Sequence, residues 1–321
     1  MNIGNLLVNA AYLGNKVLTD IAVGATKVWE GVSKYIKFKD PVVEQLCMKW
    51  SSDGIGLTPE DAAKVTNIGT TFKENTEITS FEELGLFGVT KIESAAFVRC
   101  YNLRRINLSN ITYIGYRAFG ECILEQVNLS SIQYLMGDSF QNNNAAITHI
   151  GKELRYLGAN AFRGLEPPYI SLSMPNLTFC KESAFEGITG SFKGIDSLGS
   201  ITSIPNRCFF ENGFEYVTLH SGITSIGTYA FLRCRNLKYI KGLLNLNSVG
   251  ERAFDGCTSL VSIAINNTTP PTLGSGVFTS CNNLSIYVPD ESVDAYKSAT
   301  NWSVYADRIK PLSEYVEPTN E

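Results

Sequence analysis

Phenylalanine returns along this chain at an almost constant step. It stands at Phe97, Phe119, Phe140, Phe162, Phe185, Phe209, Phe231, Phe254 and Phe278, with 21 to 24 residues between neighbours. The residue before each is small or modest: Ala96, Ala118, Ser139, Ala161, Ala184, Cys208, Ala230, Ala253 and Val277. Five positions before each ring comes Ile92, Ile114, Leu135, Leu157, Cys180, Ile204, Ile226, Val249 or Leu273. A period of this size marks a repeat architecture, because a unit of about 22 residues cannot bury its own apolar set and must stack on its neighbours. The rings are therefore expected to lie one above another in a shared dry interior. At roughly 4.8 Å per strand, nine coils give about 45 Å of solenoid.

Between rings the chain alternates apolar and polar residues. Leu103 to Leu108, Leu124 to Leu129, Phe214 to Leu219 and Leu260 to Ile265 all show it. Period-two alternation predicts a half-buried strand, and the form L-x-x-L-x-L is the strand of a leucine-rich repeat. Glycine often follows the apolar residue five before the ring, at Gly115, Gly158, Gly227, Gly250 and Gly274, and is expected to mark corners that need a positive φ. Around Gln141 to Ala146 and Glu166 to Pro168 the strand pattern blurs. Phe72, 25 residues ahead of Phe97, looks like a degenerate leading repeat.

The unit I-G-x-x-A-F-x-x-C-x-x-L-x-x-I-x-L resembles the BspA-type leucine-rich repeat of bacterial surface adhesins, over roughly residues 66–288. Ile286 to Lys297, Asn301-Trp302 and Ile309 to Pro311 are similar to the closing segment of such arrays. The resemblance implies adhesion. Together with the repeat it sets the expected fold class: an α+β repeat protein, a leucine-rich-repeat solenoid of about nine 21–24-residue coils with short parallel strands, a small N-terminal β-meander and helical caps.

Solenoid ends need covering, because a terminal coil exposes apolar surface and sheet edge. The predicted division is 1–38 as a β-strand attachment module, 39–66 as a helical N-cap, 67–288 as the solenoid, and 289–321 as C-terminal cap and tail. Asp40-Pro41 is an N-cap and N1 pair for a helix to about Trp50, and Thr58-Pro59-Glu60-Asp61 opens a second helix. Asp290 to Ser298 reads as a short amphipathic helix, with Val293, Tyr296 and Trp302 over the last coil and a polar tail after Pro311. Leu6 to Leu13, Lys16 to Val23 and Lys27 to Glu30 read as three strands joined at Gly14-Asn15 and Gly24-Ala25. Tyr12 to Val17, Ile21 to Gly24 and Lys27 to Glu30 resemble N-terminal modules of phage tail or fibre proteins, which implies docking on a particle through Tyr12, Leu13, Val28 and Trp29.

Composition excludes several classes. With 44% hydrophobic and 18% charged residues the chain is of ordinary globular make-up, and a net charge of −4 gives no electrostatic reason to expect nucleic acid or anionic membrane. No apolar run of about 18 residues predicts membrane insertion. The first sixteen residues lack a basic start and an unbroken apolar stretch, so no secretory signal is expected. N-x-S/T sequons, among them those at Asn107, Asn110, Asn128, Asn176, Asn266, Asn267 and Asn301, then mark only surface placement.

Residues that might carry chemistry read as structure. Cys100, Cys122, Cys234, Cys257 and Cys281 each lie three after a ring and are expected to form one buried small-residue column. Cys47, Cys180 and Cys208 are read as core fillers. No C-x-x-C or Cys/His pairing predicts zinc, adjacent-coil thiols seldom meet disulfide geometry, and only His149 and His220 exist as histidines. No phosphate-binding, dinucleotide or nucleophile-elbow motif occurs. Asp53 to Glu60 faintly follows a calcium loop, but Lys49 would occupy its first ligand position, so a turn is expected. Neither enzymatic activity nor a cofactor is expected.

Binding is expected instead on the strand face that points outward: Arg105 and Asn107, Gln126 and Asn128, Tyr216 and Thr218, Tyr239 and Lys241, and Ser262 and Ala264. Tyrosine and arginine are common interface anchors, and aromatic and amide groups suit sugars. The resulting expectation is a non-enzymatic recognition or structural protein of a bacteriophage virion. Its N-terminus would dock to virion structural proteins, and its solenoid would touch a host-surface protein or glycan. The alternatives are a BspA-like adhesin, at the bacterial surface or secreted, and a virion decoration protein without a host ligand. Homo-oligomerisation stays open.

Overall fold

The computed structural model describes residues 33–143, 145–163, 172–188 and 193–318, together with the backbone of the strands Ile21–Val23 and Thr26–Trp29. Those two strands pair antiparallel. The expected strand Leu6 to Leu13 and the first part of Lys16 to Val23 lie outside the described residues.

From residue 68 onward each repeat makes one coil with two short strands and a turn. Strands of successive coils pair in parallel, because the chain returns to the same edge in the same direction one repeat later. The longer strands form a row running from Ser80–Phe81 to Ile309–Pro311. It comprises two pairs and a seven-stranded sheet that starts at Leu172–Ser173. The shorter strands form a second row, five from Lys91–Ile92 to Phe179–Cys180 and four from Ser203–Ile204 to Thr272–Leu273.

Pro205 explains the split in the second row. At the same place in other coils an N–H reaches the preceding coil, as in Gly158 N to Leu135 O, Lys181 N to Leu157 O and Gly227 N to Ile204 O, each 2.8–2.9 Å. Proline has no N–H to give, and no pairing joins Phe179–Cys180 to Ser203–Ile204.

The third side of each coil is the turn that carries the ring. Two residues before and two after it the backbone is left-handed, as at Ala95 and Arg99, Arg117 and Glu121, Arg207 and Glu211, and Tyr229 and Arg233. For non-glycine residues this costs about 1–2 kcal/mol each. It orients N–H groups along the solenoid: Ala95, Phe97 and Arg99 donate to Tyr116, Ala118 and Gly120 of the next coil at 2.8–2.9 Å.

The rings stack as the period predicts. Successive pairs from Phe72 to Phe140 and from Phe162 to Phe278 have centroids 5.0–5.6 Å apart and planes within 9–24°. Phe119, Phe162 and Phe231 belong to one buried cluster. Phe72 stacks on Phe97 as a full, buried rung, so about ten coils share the interior.

The glycine expectation needs correction. Gly115, Gly158, Gly227, Gly250 and Gly274 are not among the positive-φ residues. A Cβ on any of them would fall 2.2–2.6 Å from a backbone nitrogen of the coil below. Close approach between coils requires glycine there.

Both caps form. Asp40 accepts from Val42 N and Val43 N at the start of the helix Pro41–Cys47 and also from Thr79 N, Thr79 Oγ1 and Ser80 N, tying the cap to the first coil. Thr58 and Asp61 make a reciprocal capping box on Pro59–Lys64. Asp53 Oδ1 accepts from Ile55 N and Gly56 N, which makes its segment a closed turn. At the other end Trp302 Nε1 donates to Pro271 O and Tyr296 Oη to Asn267 O. The tail after Pro311, expected to be polar, packs back on the solenoid: Tyr315 lies on Tyr287 at 5.1 Å, and Glu317 reaches Lys241 at 3.3 Å.

Candidate functional site

The long-strand face places its expected residues in two different settings. In the first coils Arg105, Asn107, Gln126 and Asn128 meet around one surface depression of about 430 Å3, walled by Glu82 and Glu125. Arg105 Nε lies 3.2 Å from Glu125 Oε2, with both side chains well exposed, so the pair contributes little stability, about 0–1 kcal/mol. Asn107 and Asn128 each accept from the backbone N–H two residues on, Ser109 and Ser130, at 3.0 Å, which turns the chain at the strand's end.

Farther along, Tyr216 and Tyr239 are not the exposed anchors expected. They are 5% and 7% accessible, with rings 5.7 Å apart and 6° from parallel. In a parallel ladder, side chains in register sit one strand spacing apart, so flat rings cover each other. Tyr216 also lies against Gly194, where a Cβ would meet the ring at 2.6 Å, and its hydroxyl donates to Asp196 Oδ1 at 2.8 Å. Burial raises the Tyr239 phenol above its ordinary pKa. Thr218 and Lys241 are half-buried, and Lys241 is engaged by Glu317.

The docking residues expected at the N-terminus are not placed. Tyr12 and Leu13 lie outside the described residues, and Val28 and Trp29 are described by backbone alone, in the strand Thr26–Trp29.

A second surface went unread in the sequence. On the short-strand face Lys91, Tyr113, Tyr134, Tyr156 and Phe179 stand in register. Tyr134 is 41% and Phe179 47% accessible. Lys91 Nζ sits 4.9 Å over Tyr113, Tyr113 and Tyr134 are 6.3 Å apart, and Tyr156 and Phe179 stack at 5.1 Å. From the strand Ser203–Ile204 onward the same position carries Ser203, Ser225, Ser248 and Thr272. The row of rings thus belongs to the first half alone. Aligning the residue six before each phenylalanine would have shown it.

The cysteine column has a role that the spacing did not reveal. Each thiol donates to the carbonyl of the ring residue one coil back: Cys100 to Phe72, Cys122 to Phe97, Cys234 to Phe209, Cys257 to Phe231 and Cys281 to Phe254, at 2.9–3.1 Å. Asn143 and Asn212 serve Phe119 and Phe185 in the same way, but their Oδ1 atoms are buried without a partner. Burial pushes the Cys281 thiol up to about 12 and Cys257 well above its ordinary value, so both stay protonated donors at neutral pH.

The remaining chemistry is sparse. His220 Nε2 lies 3.0 Å from Ile201 O, and Nδ1 accepts from Gly222 N. Among the described residues no three His, Cys, Asp or Glu side chains gather as metal ligands. Among the described residues no helix is long and apolar enough to cross a membrane.

The family model for the BspA type leucine-rich repeat region matches residues 66–191 and 202–300, together well over half of the chain. Similar solved structures include a leucine-rich repeat protein from Eubacterium ventriosum, 17% identical over 63% of this chain and 70% of its own, with a TM-score of 0.36. One from Bacteroides ovatus is 18% identical over 74% and 82%, with a TM-score of 0.36. A leucine-rich cell surface protein from Faecalibacterium prausnitzii is 18% identical over 70% and 76%, again with a TM-score of 0.36. No curated protein matches the chain. The family match begins at residue 66 and does not bear on the N-terminal strands.

Proposed function

Since the chain belongs to the BspA-type leucine-rich repeat family, we propose that it is a non-enzymatic adhesion protein of a bacterial cell surface, binding a host-surface protein or glycan through its solenoid. The observation that carries this reading is the row Tyr113, Tyr134, Tyr156 and Phe179, with two large rings left substantially exposed on a fixed sheet. Contiguous apolar surface of this kind marks interaction sites, and aromatic residues dominate their energetics.

Binding is favoured over catalysis by what the reactive groups already do. The column thiols are spent as donors to backbone carbonyls, and both nitrogens of His220 lie within hydrogen-bond distance of backbone groups.

The test is fractionation of the native cells, followed by attachment of purified protein to host cells before and after enzymatic removal of surface glycans. Recovery in the cell-envelope fraction with saturable attachment supports the reading. Recovery in phage particles would replace it with the virion placement expected from the N-terminal strands.

A further inference from the structure

Cys180 and Cys208 meet where the short-strand row is interrupted. Cys180 ends the strand Phe179–Cys180, the last of the five. Cys208 stands one residue before the ring Phe209 in the next coil. Their sulfurs are 3.7 Å apart. They differ from the column thiols, each of which is committed to a carbonyl of the coil behind it. They also differ from each other, since Cys180 alone among the eight cysteines is half-buried and the other seven are buried. Cys180 is thus the more accessible residue of the pair, with the Cys208 sulfur in van der Waals contact.

We propose that Cys180 and Cys208 are an oxidisable dithiol whose disulfide staples two coils across the seam left by Pro205. The oxidant is a low-molecular-weight disulfide. The Cys180 thiolate attacks one of its sulfurs, the reagent's S–S bond breaks, and the leaving thiolate takes up a proton. Cys180 is then a mixed disulfide. Cys208, which burial holds protonated, attacks the Cys180 sulfur as its proton passes to the departing small thiolate. That forms the protein S–S bond and expels the second small thiol. Two protein thiols are oxidised, and one disulfide is reduced to two thiols. Since Pro205 supplies no N–H there, the covalent bond would replace the cohesion that hydrogen bonds give elsewhere in the row.

The experiment uses the purified full chain, reduced and then treated with oxidised glutathione, read by intact mass and by non-reducing peptide mapping. The expected result is loss of the mass of two hydrogens, one cross-linked peptide pair joining Cys180 to Cys208, and full reversal by dithiothreitol. The oxidised form should also melt at a higher temperature than the reduced form. Cys208→Ser should instead trap a stable glutathione adduct on Cys180, and Cys180→Ser should leave every thiol reduced. Cys180 is half-buried, so the second variant keeps the test valid even if the first fails to fold. A glutathione adduct on Cys180 of the unmutated chain that never resolves, a cross-link between other cysteines, or no reaction would each overturn the proposal.

Discussion

Gly250→Ala separates close coil approach from backbone conformation as the reason for the repeat glycines. In a helix or sheet of ordinary conformation, Gly→Ala stabilises a protein by about 0.4–1 kcal/mol by restricting the unfolded chain. Here the added Cβ would lie 2.4 Å from Thr228 N, 2.7 Å from Gly227 C and 2.8 Å from Thr228 Cα, all backbone atoms of the coil below. Ordinary contact begins at 3.4 Å, so the coils would have to part by about 1 Å. The bond from Gly250 N to Ile226 O, 2.7 Å, would lengthen with them. Overpacking costs about 1–3 kcal/mol and a weakened hydrogen bond about 0.5–1.5, so after the entropic gain of about 0.4–1 the net loss lies between about 0.5 and 4 kcal/mol, centred near 2. The comparison is Gly187→Ala, where φ is +73° and no atom lies within 4 Å of the new carbon. That change should cost only the left-handed strain, about 1–2 kcal/mol. Urea unfolding at 25 °C, followed by circular dichroism, measures both. Gly250→Ala should shift the midpoint down more than Gly187→Ala at unchanged slope. A Gly250→Ala protein within about 0.5 kcal/mol of wild type would refute the close-approach argument.

Three further outcomes are expected. Asn143→Cys keeps the donor to Phe119 O and removes the buried Oδ1 that has no partner, so thermal unfolding should show stabilisation of about 1–3 kcal/mol. Phe231→Ala removes a ring stacked on both sides and should cost about 3–5 kcal/mol by denaturant titration. For Asp40, burial pushes the carboxyl pKa up, but the bonds from Thr79, Ser80 and Val43 outweigh this and hold it below the ordinary 3.8. A depressed folded value adds stability above the unfolded one, and that stability is lost as pH falls through the folded value. Unfolding midpoints should therefore drop below about pH 4, and Asp40→Asn should flatten that dependence.

Legibility tracked distance along the chain. The rings, the column of cysteines and both cap signatures could be read because each is a fixed offset within one repeat or one helix start. Asp40-Pro41 and Thr58 to Asp61 are local patterns, and the structure forms both caps where they predict. Whatever depended on the gap between coils could not be read. The glycines answer a 2.2–2.6 Å approach that no single repeat displays. Tyr216 and Tyr239 alternate outward as expected, yet cover each other once they are in register, and the tail folds back to bring Glu317 onto Lys241. The thiol-to-carbonyl bonds likewise join one coil to the next. Of the expected binding residues, Arg105, Asn107, Gln126 and Asn128 gather at one depression because they lie on adjacent strands. The aromatic row was visible in principle, but the strand alternation directed the reading to the other face.

Tyr134→Ser combined with Phe179→Ser addresses the binding surface most directly, since serine already occupies the same position at Ser203, Ser225 and Ser248. Attachment to host cells would be measured beside the melting temperature of the same preparation. The account predicts attachment reduced at least tenfold, equivalent to about 1.4 kcal/mol, with the melting temperature unchanged. Undiminished attachment by this double variant would contradict it.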